Sequence, residues 1–277
     1  QTLPPLELVV VDAAPAGDDA TERIVRTAGH DTPFRCVYVR HERGTAVQRN
    51  AGIDRARGEF VAFIDDDEWP EPDWLVRLLE TQRASGAEVV TGGVLPVFEQ
   101  QPPAWVLAGG FFDRRRHDHG ERIAYATTSN VLIRRESLDL VPGPFDEAFG
   151  LSGGSDTHLF AQLAKAGCTL VWCDTAPVKE MIPPSRVSVR WLVRREYRRG
   201  QTLSLSLRAR GLSPWRAVRR VGNGGRHVLV GLPLTVVGVV RGKAGVVRGV
   251  RRMAFGAGML TGLAGLRHQE YRTVHGG

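Results

Sequence analysis

The stretch FIDDDEWPEPDWL, Phe63 to Leu75, sets four carboxylates side by side directly after an apolar run. Hard divalent cations take oxygen ligands. Mg2+ or Mn2+ is commonly held by one or two protein carboxylates together with the phosphates of a substrate. A D-x-D spacing at a strand terminus, here Asp65 and Asp67, points two side chains into one crevice, where a cation would offset their repulsion. A plainer reading stays open beside it. Acidic residues suit helix N-termini, and the cluster would then be a solvated turn capping the helix that follows Pro70. A second acidic candidate, Asp156, follows Gly153 and Gly154, which permit close approach of the backbone to a ligand. Its plain alternative is a helix N-cap supplied by Ser155 or Asp156. A base that takes a proton from a hydroxyl must also lie within hydrogen-bond reach of it.

The elements that must position these residues follow from pattern. LELVVVD (Leu6 to Asp12) is a continuous β-branched run and reads as a buried strand of the kind found in parallel sheets. FRCVYVR, EFVAFID and AEVVTGGVLPV read as three further strands. Helices are predicted between them: DATERIVRTAG, GTAVQRNAGIDRARG with Gly58 at its stop, and PDWLVRLLETQRASG with Pro72 in its first turn and Gly86 at its end. Alternating strands and helices predict an α/β sandwich around a mostly parallel sheet, where ligands sit beyond the carboxyl ends of the strands. Asp65, Asp66 and Asp67 fall at such an end. From Glu99 to Gly120 the periodicity stops in a segment rich in Pro, Gly, Arg and His, which reads as a functional loop. Within it Arg114, Arg115 and Arg116 read as a solvated charge run. ATTSNVLIRRESL resumes as a strand and short helix, and a last strand runs to Pro183 and Pro184, so a body of residues 1–185 is expected.

Charge divides at the same place. Residues 1–185 hold 18 Lys/Arg against 28 Asp/Glu, whereas residues 186–277 hold 19 against 2. That asymmetry predicts a globular body with a basic tail that seeks an anionic surface. RVSVRWLVRREYRRG reads as a basic helix. HVLVGLPLTVVGVV and MAFGAGMLTGLAGL are apolar runs shorter than the roughly 20 residues that span a bilayer, and Gly231, Pro233 and Gly238 weaken the first as a helix. Short apolar runs between Arg/Lys clusters predict attachment to a membrane surface; the alternative is a helical hairpin packed on the body. Nucleic acid is disfavoured as a partner, because few aromatics interleave with the basic residues. The three cysteines, Cys36, Cys168 and Cys173, read as reduced, small apolar residues in a cytosolic setting rather than as zinc ligands. The chain opens on Gln rather than Met, which points to a fragment or a processed form.

The order of these elements resembles the inverting family 2 glycosyltransferases. The resemblance covers roughly Leu6 to Gly200. It rests on LELVVVD, RNAGIDRARGEFVAFIDDDEWPEPDWL, TSNVLIRRE, FDEAFGLSGGSDTHLFAQLAKAGC and IPPSRVSVRWLVRREYRRGQT. It implies a GT-A, Rossmann-like α/β/α sandwich followed by a basic helical tail, and a Mg2+ or Mn2+ cofactor. Asp65 and Asp67 would contact the donor's ribose and metal-bound diphosphate, with Asp66 between them. Asp12, Arg49 and Asn50 would line the nucleotide-sugar pocket. Asp67 and Glu180 would hold the metal, and Asp156 would be the catalytic base. Trp105, Asn130 and Ser155 would meet the acceptor.

The same resemblance implies a single displacement with inversion, from a nucleotide-sugar donor to a lipid-linked or polysaccharide acceptor, on the cytoplasmic face of the cell membrane. A non-catalytic protein that holds a nucleotide sugar or a glycan is the alternative. Three departures from the family pattern accompany it. A first strand of the type V-x-V-x-I-P-x-Y-N does not precede LELVVVD. Ala13 follows Asp12 where relatives often have a second aspartate, leaving uridine, deoxythymidine and guanosine donors open. Ser155 stands where a glutamate usually precedes the base.

Overall fold

A computed structural model describes residues 1–15, 17–147, 154–209 and 211–266. Gly153, singled out above, lies outside the described residues. The chain forms two compact units, Gln1–Leu95 with Arg114–Glu180, and Pro96–Asp113 with the helices that follow Met181.

The first unit begins with β1 (Glu7–Asp12), α1 (Ala20–His30), β2 (Arg35–Arg40), α2 (Thr45–Arg55) and β3 (Phe60–Ile64). It continues through β4 (Glu68–Pro70), α3 (Trp74–Ser85) and β5 (Val89–Phe98), whose far end enters the second unit. β1 and β2 pair in parallel, Glu7 opposite Arg35. The larger sheet has the order β3-β6-β5-β7-β4, with β6 (Asn130–Arg134) and β7 (Leu170–Ile182). Two short elements complete the unit, α5 (Arg135–Leu138) and α6 (Ser155–Lys165).

Side-chain alternation makes this a three-layer sandwich. Along β6, Val131 and Ile133 enter a cluster with Ala46 of α2 and Leu159, Phe160 and Leu163 of α6. Leu132 between them enters the opposite cluster, with Trp74, Leu75 and Leu78 of α3. Val89 and Val90 of β5 divide in the same way. A period of two thus assigns successive residues to opposite faces, and each face is covered by helices. Burying a Leu, Ile or Phe side chain on either face contributes roughly 1.5–3 kcal/mol. The expected α/β/α layering therefore stands, but the expected mostly parallel sheet needs correction. β6 runs antiparallel to both β3 and β5, and β4 runs antiparallel to β7. Buried β-branched runs are consistent with helices on both faces of a sheet; they do not fix strand direction. All three cysteines are free thiols, and Cys168 and Cys173 are buried.

The second unit contains α4 (Ala104–Gly109), α7 (Val189–Ala209), α8 (Pro214–Val240) and α9 (Lys243–Leu263). The segment 96–113, expected in the body, packs here instead. Val106, Phe111 and Phe112 bury against Ile182, Leu192 and Val247, and Phe112 stacks on Trp191 with ring centroids 5.8 Å apart. The expectation of a weakened helix at Gly231, Pro233 and Gly238 also yields, since α8 runs unbroken past all three. Gly224, Gly231 and Gly238 recur every seventh residue and are buried. A Cβ at Gly238 would strike the backbone of Gly245, and one at Gly224 would meet Leu260, both of α9. Close packing along this face offsets the intrinsic helix penalty of the glycines. α7 meets α9 in the same manner at Gly258, where a Cβ would land on the carbonyl of Tyr197.

Two glycine substitutions should therefore move stability in opposite directions. Gly258→Ala should lower it by about 1–3 kcal/mol through overpacking. Gly222→Ala, in open space on α8, should raise it by about 0.5–1 kcal/mol. Differential scanning calorimetry of the two variants checks both signs.

Candidate active site

The carboxylate cluster sits where the strand pattern placed it, just past the carboxyl end of β3. Asp65 to Glu68 close a turn by reciprocal bonds. The Glu68 N–H donates to the Asp65 carbonyl at 3.1 Å, and the Asp65 N–H donates to Glu68 Oε2 at 3.2 Å. Glu68 then starts β4, directly opposite Glu180 on β7. Two arginines answer this negative charge. Arg49 of α2 approaches Asp65 Oδ1 at 3.5 Å. Arg114 donates to Glu180 Oε2 at 2.5 Å and to Ser129 Oγ at 3.5 Å.

The local electrostatics remain unfavourable to full ionisation. Burial pushes the Asp65 carboxyl up; Arg49 opposes the shift and Asp67 adds to it. Burial, followed by the charge of Asp65, pushes Glu68 up to about 8. Glu68 Oε1 is buried and has no hydrogen-bond partner. The N-cap residue of α3 is Asp73, outside the cluster, and its side chain makes no cap hydrogen bond.

Phe145 organises the adjoining wall. Its ring meets Phe63 of β3 edge to face at 5.7 Å, and the Arg49 guanidinium lies 5.6 Å from its centroid. Asn50 grips its backbone from both sides, donating to the Phe145 carbonyl at 2.8 Å and accepting its N–H at 3.0 Å. Asn50 therefore holds the wall, and both ends of its amide are engaged in doing so. The next residue, Asp146, lies 4.0 Å from His158 of α6. Asp156 occupies the first turn of that helix, after Gly154 at a left-handed φ of 96°, and its Oδ1 accepts the Thr157 N–H at 2.7 Å. Asp12, at the end of β1, accepts from the Ala14 N–H at 3.0 Å and the Tyr38 hydroxyl at 3.1 Å.

Other expected positions have different surroundings. Asn130, assigned to the acceptor, is 0% exposed. It accepts from Trp74 Nε1 at 2.8 Å and donates to the carbonyls of Gly93 and Ala176 at 2.9 and 2.8 Å, tying α3, β5 and β7 together. Its polar atoms are satisfied internally, and a Cβ at Gly92 would collide with its amide. Ser155 is likewise enclosed, at 2% exposure. Neither presents a surface to an acceptor. Trp105 belongs to the helical unit, where it packs on Phe111 and beneath Lys243. Glu180, expected as a metal ligand, has one oxygen held by Arg114.

Arg114 and Glu68 are the residues that sequence reasoning passed over. Arg114 read as part of a solvated run, and indeed its neighbour Arg116 makes a surface fork on Asp174. The available signal was the excess of carboxylates itself, which demands cations from somewhere in the fold.

The oxygen-rich donor set and the partnerless Glu68 oxygen fit a hard divalent cation. Among the described residues no group of three or more His, Cys, Asp or Glu side chains is arranged to hold one. The fit is therefore to a cation held by one or two carboxylates and completed by phosphate oxygens.

Residues 1–141 match the family described as glycosyl transferase family 2. The chain is 32% identical over 266 residues to the succinoglycan biosynthesis protein ExoM of Rhizobium meliloti, spanning 95% of this chain and 85% of ExoM. It is 28% identical over 218 residues to the glucosyl-dolichyl phosphate glucuronosyltransferase of Haloferax volcanii, spanning 72% and 67% of the two chains. Among solved structures it resembles GalNAc-T7, crystallised with UDP, GalNAc and Mn2+. The TM-score is 0.51 at 12% identity, covering 75% of this chain and 45% of that one.

The raised proton affinity of Glu68 sets a direction for stability in chelator. Between the ordinary carboxylate value of 4.5 and about 8, the native state keeps a proton that the unfolded state has lost. Stability therefore falls as pH rises through that window. Glu68→Gln should flatten this slope and gain about 1–2 kcal/mol at pH 8. Urea unfolding at pH 5 and pH 8 measures both.

Proposed function

The chain belongs to glycosyl transferase family 2 and carries the GT-A fold; it is a glycosyltransferase, and we propose that it transfers a sugar from a nucleotide-sugar donor with inversion at the anomeric carbon. The observation that carries this reading is the turn Asp65–Glu68 with Arg49 and Arg114 beside it. Closely spaced acids and bases at one strand end suit a ligand that brings both cation and dianion, as a metal-bound nucleoside diphosphate does.

In this proposal Asp67 and Glu68 hold Mg2+ or Mn2+, and Asp65 and Asp66 meet the ribose and diphosphate. GalNAc-T7, which shares the fold, was crystallised with UDP and Mn2+. When bound, the cation supplies charge neutralisation of the departing diphosphate. Arg49, on a helix anchored to Phe145 through Asn50, adds a second positive charge at the same end. Asp12 orients the nucleoside end of the donor. Asp156 accepts the proton of the acceptor hydroxyl as its oxygen bonds to the anomeric carbon and the bond to the diphosphate breaks. One displacement consumes one donor and one hydroxyl and releases a nucleoside diphosphate and a proton. Arg114 keeps Glu180 neutralised behind this line of carboxylates.

Calorimetry with a panel of nucleotide sugars, with Mn2+ and with chelator, tests the donor site. One donor should bind in a metal-dependent manner, and Asp67→Ala should abolish the metal dependence. Asp156→Asn should keep donor affinity within about threefold while lowering kcat by about 10²–10⁴. A similar loss of donor binding in Asp156→Asn would remove the base assignment. The anomeric coupling in the product's proton spectrum decides between inversion and retention.

The acceptor is proposed to be lipid-linked or polysaccharide, with the protein peripheral to the inner face of the cell membrane. No described helix is long and apolar enough to cross a membrane. α8 nevertheless turns a stripe of Trp215, Val218, Leu229, Leu232, Val236 and Val239 to solvent, with Leu229 73% exposed. Arg226 and Arg241 bracket its Leu229–Val239 part along the chain. An apolar stripe edged by cations fits the interface of an anionic leaflet. The protein should float with vesicles containing anionic lipid. Leu229→Asp with Val236→Asp should weaken that binding by about tenfold or more; unchanged flotation would rule out this face.

A further inference from the structure

Within the helical unit, α7, α8 and α9 frame an open cavity of about 440 Å³ that the transfer chemistry does not use. Its lining contains Arg199, Arg248, Arg251 and Arg252 beside His227, with Glu196 as the one carboxylate and Phe255 as an apolar wall. Glu196 is spent on Arg251, at 2.6 Å, and is 3.7 Å from Arg199. Arg248 donates to a neutral carbonyl, that of Ala108, at 2.6 Å. The Nε atoms of Arg251 and Arg252 and the Nδ1 of His227 are buried without hydrogen-bond partners. Burial, then Arg252 and Arg226, hold the imidazole below its ordinary value.

Four guanidinium groups around one carboxylate leave a surplus of positive charge. The surplus is unusual where donors are buried and unmet. Guanidinium forks match the oxygens of phosphate groups, and a multiply charged phosphate meets several at once. Phe255 stiffens the wall: its ring lies 4.9 Å from the His227 ring and 5.7 Å from the Arg199 guanidinium. Gly256 lets His227 and α8 come close, since a Cβ there would meet the Gly224 carbonyl at 2.5 Å and His227 Cβ at 2.9 Å.

We infer that this cavity is a binding site for a multiply charged phosphate group, a phosphomonoester or a diphosphate, distinct from the donor site. Two sources share that chemistry, a free phosphate compound and the headgroup of a lipid. The inference does not depend on the donor assignment, because no residue of the Asp65–Glu68 turn contributes to it.

The test uses the full chain in chelator, so that metal-dependent binding at the carboxylates is silent. Pyrophosphate should raise the melting temperature saturably. Arg252→Gln and Arg248→Gln should each weaken the apparent affinity by about tenfold, while Asp67→Ala leaves it unchanged. For the lipid source, vesicles containing phosphatidic acid are compared with phosphatidylglycerol vesicles of equal surface charge. A preference for phosphatidic acid that Arg252→Gln removes also supports the site and assigns it to a headgroup. Circular dichroism confirms that each variant is folded. Should Arg252→Gln and Arg248→Gln bind pyrophosphate as the parent does, with no phosphatidic acid preference to lose, the inference is overturned. Loss of donor binding in Asp67→Ala, measured with Mn2+, with pyrophosphate binding in chelator intact, keeps the two sites separate.

Discussion

Like charges brought together at a strand end are the constraint around which the first unit is arranged. Two unit charges 4 Å apart repel by about 4 kcal/mol at the effective dielectric of a protein surface. That figure is comparable to a large fraction of a domain's net stability. The fold answers with cations from distant parts of the chain, Arg49 from α2 and Arg114 from the segment before β6. Each of them needs its own support. Arg49 lies over Phe145, which Asn50 clamps. Glu180 is held in register by the pairing of β4 with β7. The compensation is incomplete, as the raised proton affinity of Glu68 shows.

Much of this was legible in the residues. Continuous β-branched runs marked the strands, and Gly86 closed α3 as expected, whereas α2 stops at Arg55, before the expected Gly58. The cluster at Asp65 to Glu68 announced its place at a strand end because an apolar run stops there. What escaped was long-range. Arg114 and Glu180 are 66 residues apart, and nothing local separates Arg114 from its neighbour Arg116, which pairs at the surface. The family resemblance assigns Asn130 to the acceptor. Three partners from three elements make it a core residue, and no window of sequence displays them together. Strand direction escaped for a related reason: burial sets composition, whereas topology sets polarity.

The two units use glycine and arginine differently. In the first, arginines neutralise carboxylates, and Gly92 leaves room for the Asn130 amide. In the second, glycines bring helices close together and arginines outnumber the acids that might pair with them. Acid is thus in surplus in one unit and base in the other. The segment 96–113 joins the second unit through aromatic packing, with Phe112 between Phe98 and Trp191, and through cations over its rings, Lys243 on Trp105 and Arg251 on Phe111.

The glycine face of α8 also bears on how this sequence can drift. Every single-base change in a glycine codon that alters the amino acid adds a side chain, and at Gly231 or Gly238 that side chain has no space. Elsewhere on the helix, exposed Val and Leu residues interchange through single-base steps and meet solvent. One helix therefore carries a nearly frozen edge and a freely wandering edge. In a set of orthologues, substitution rates along α8 would rise and fall with the helical turn, and that rhythm would report the packing of α9 without any structure in hand.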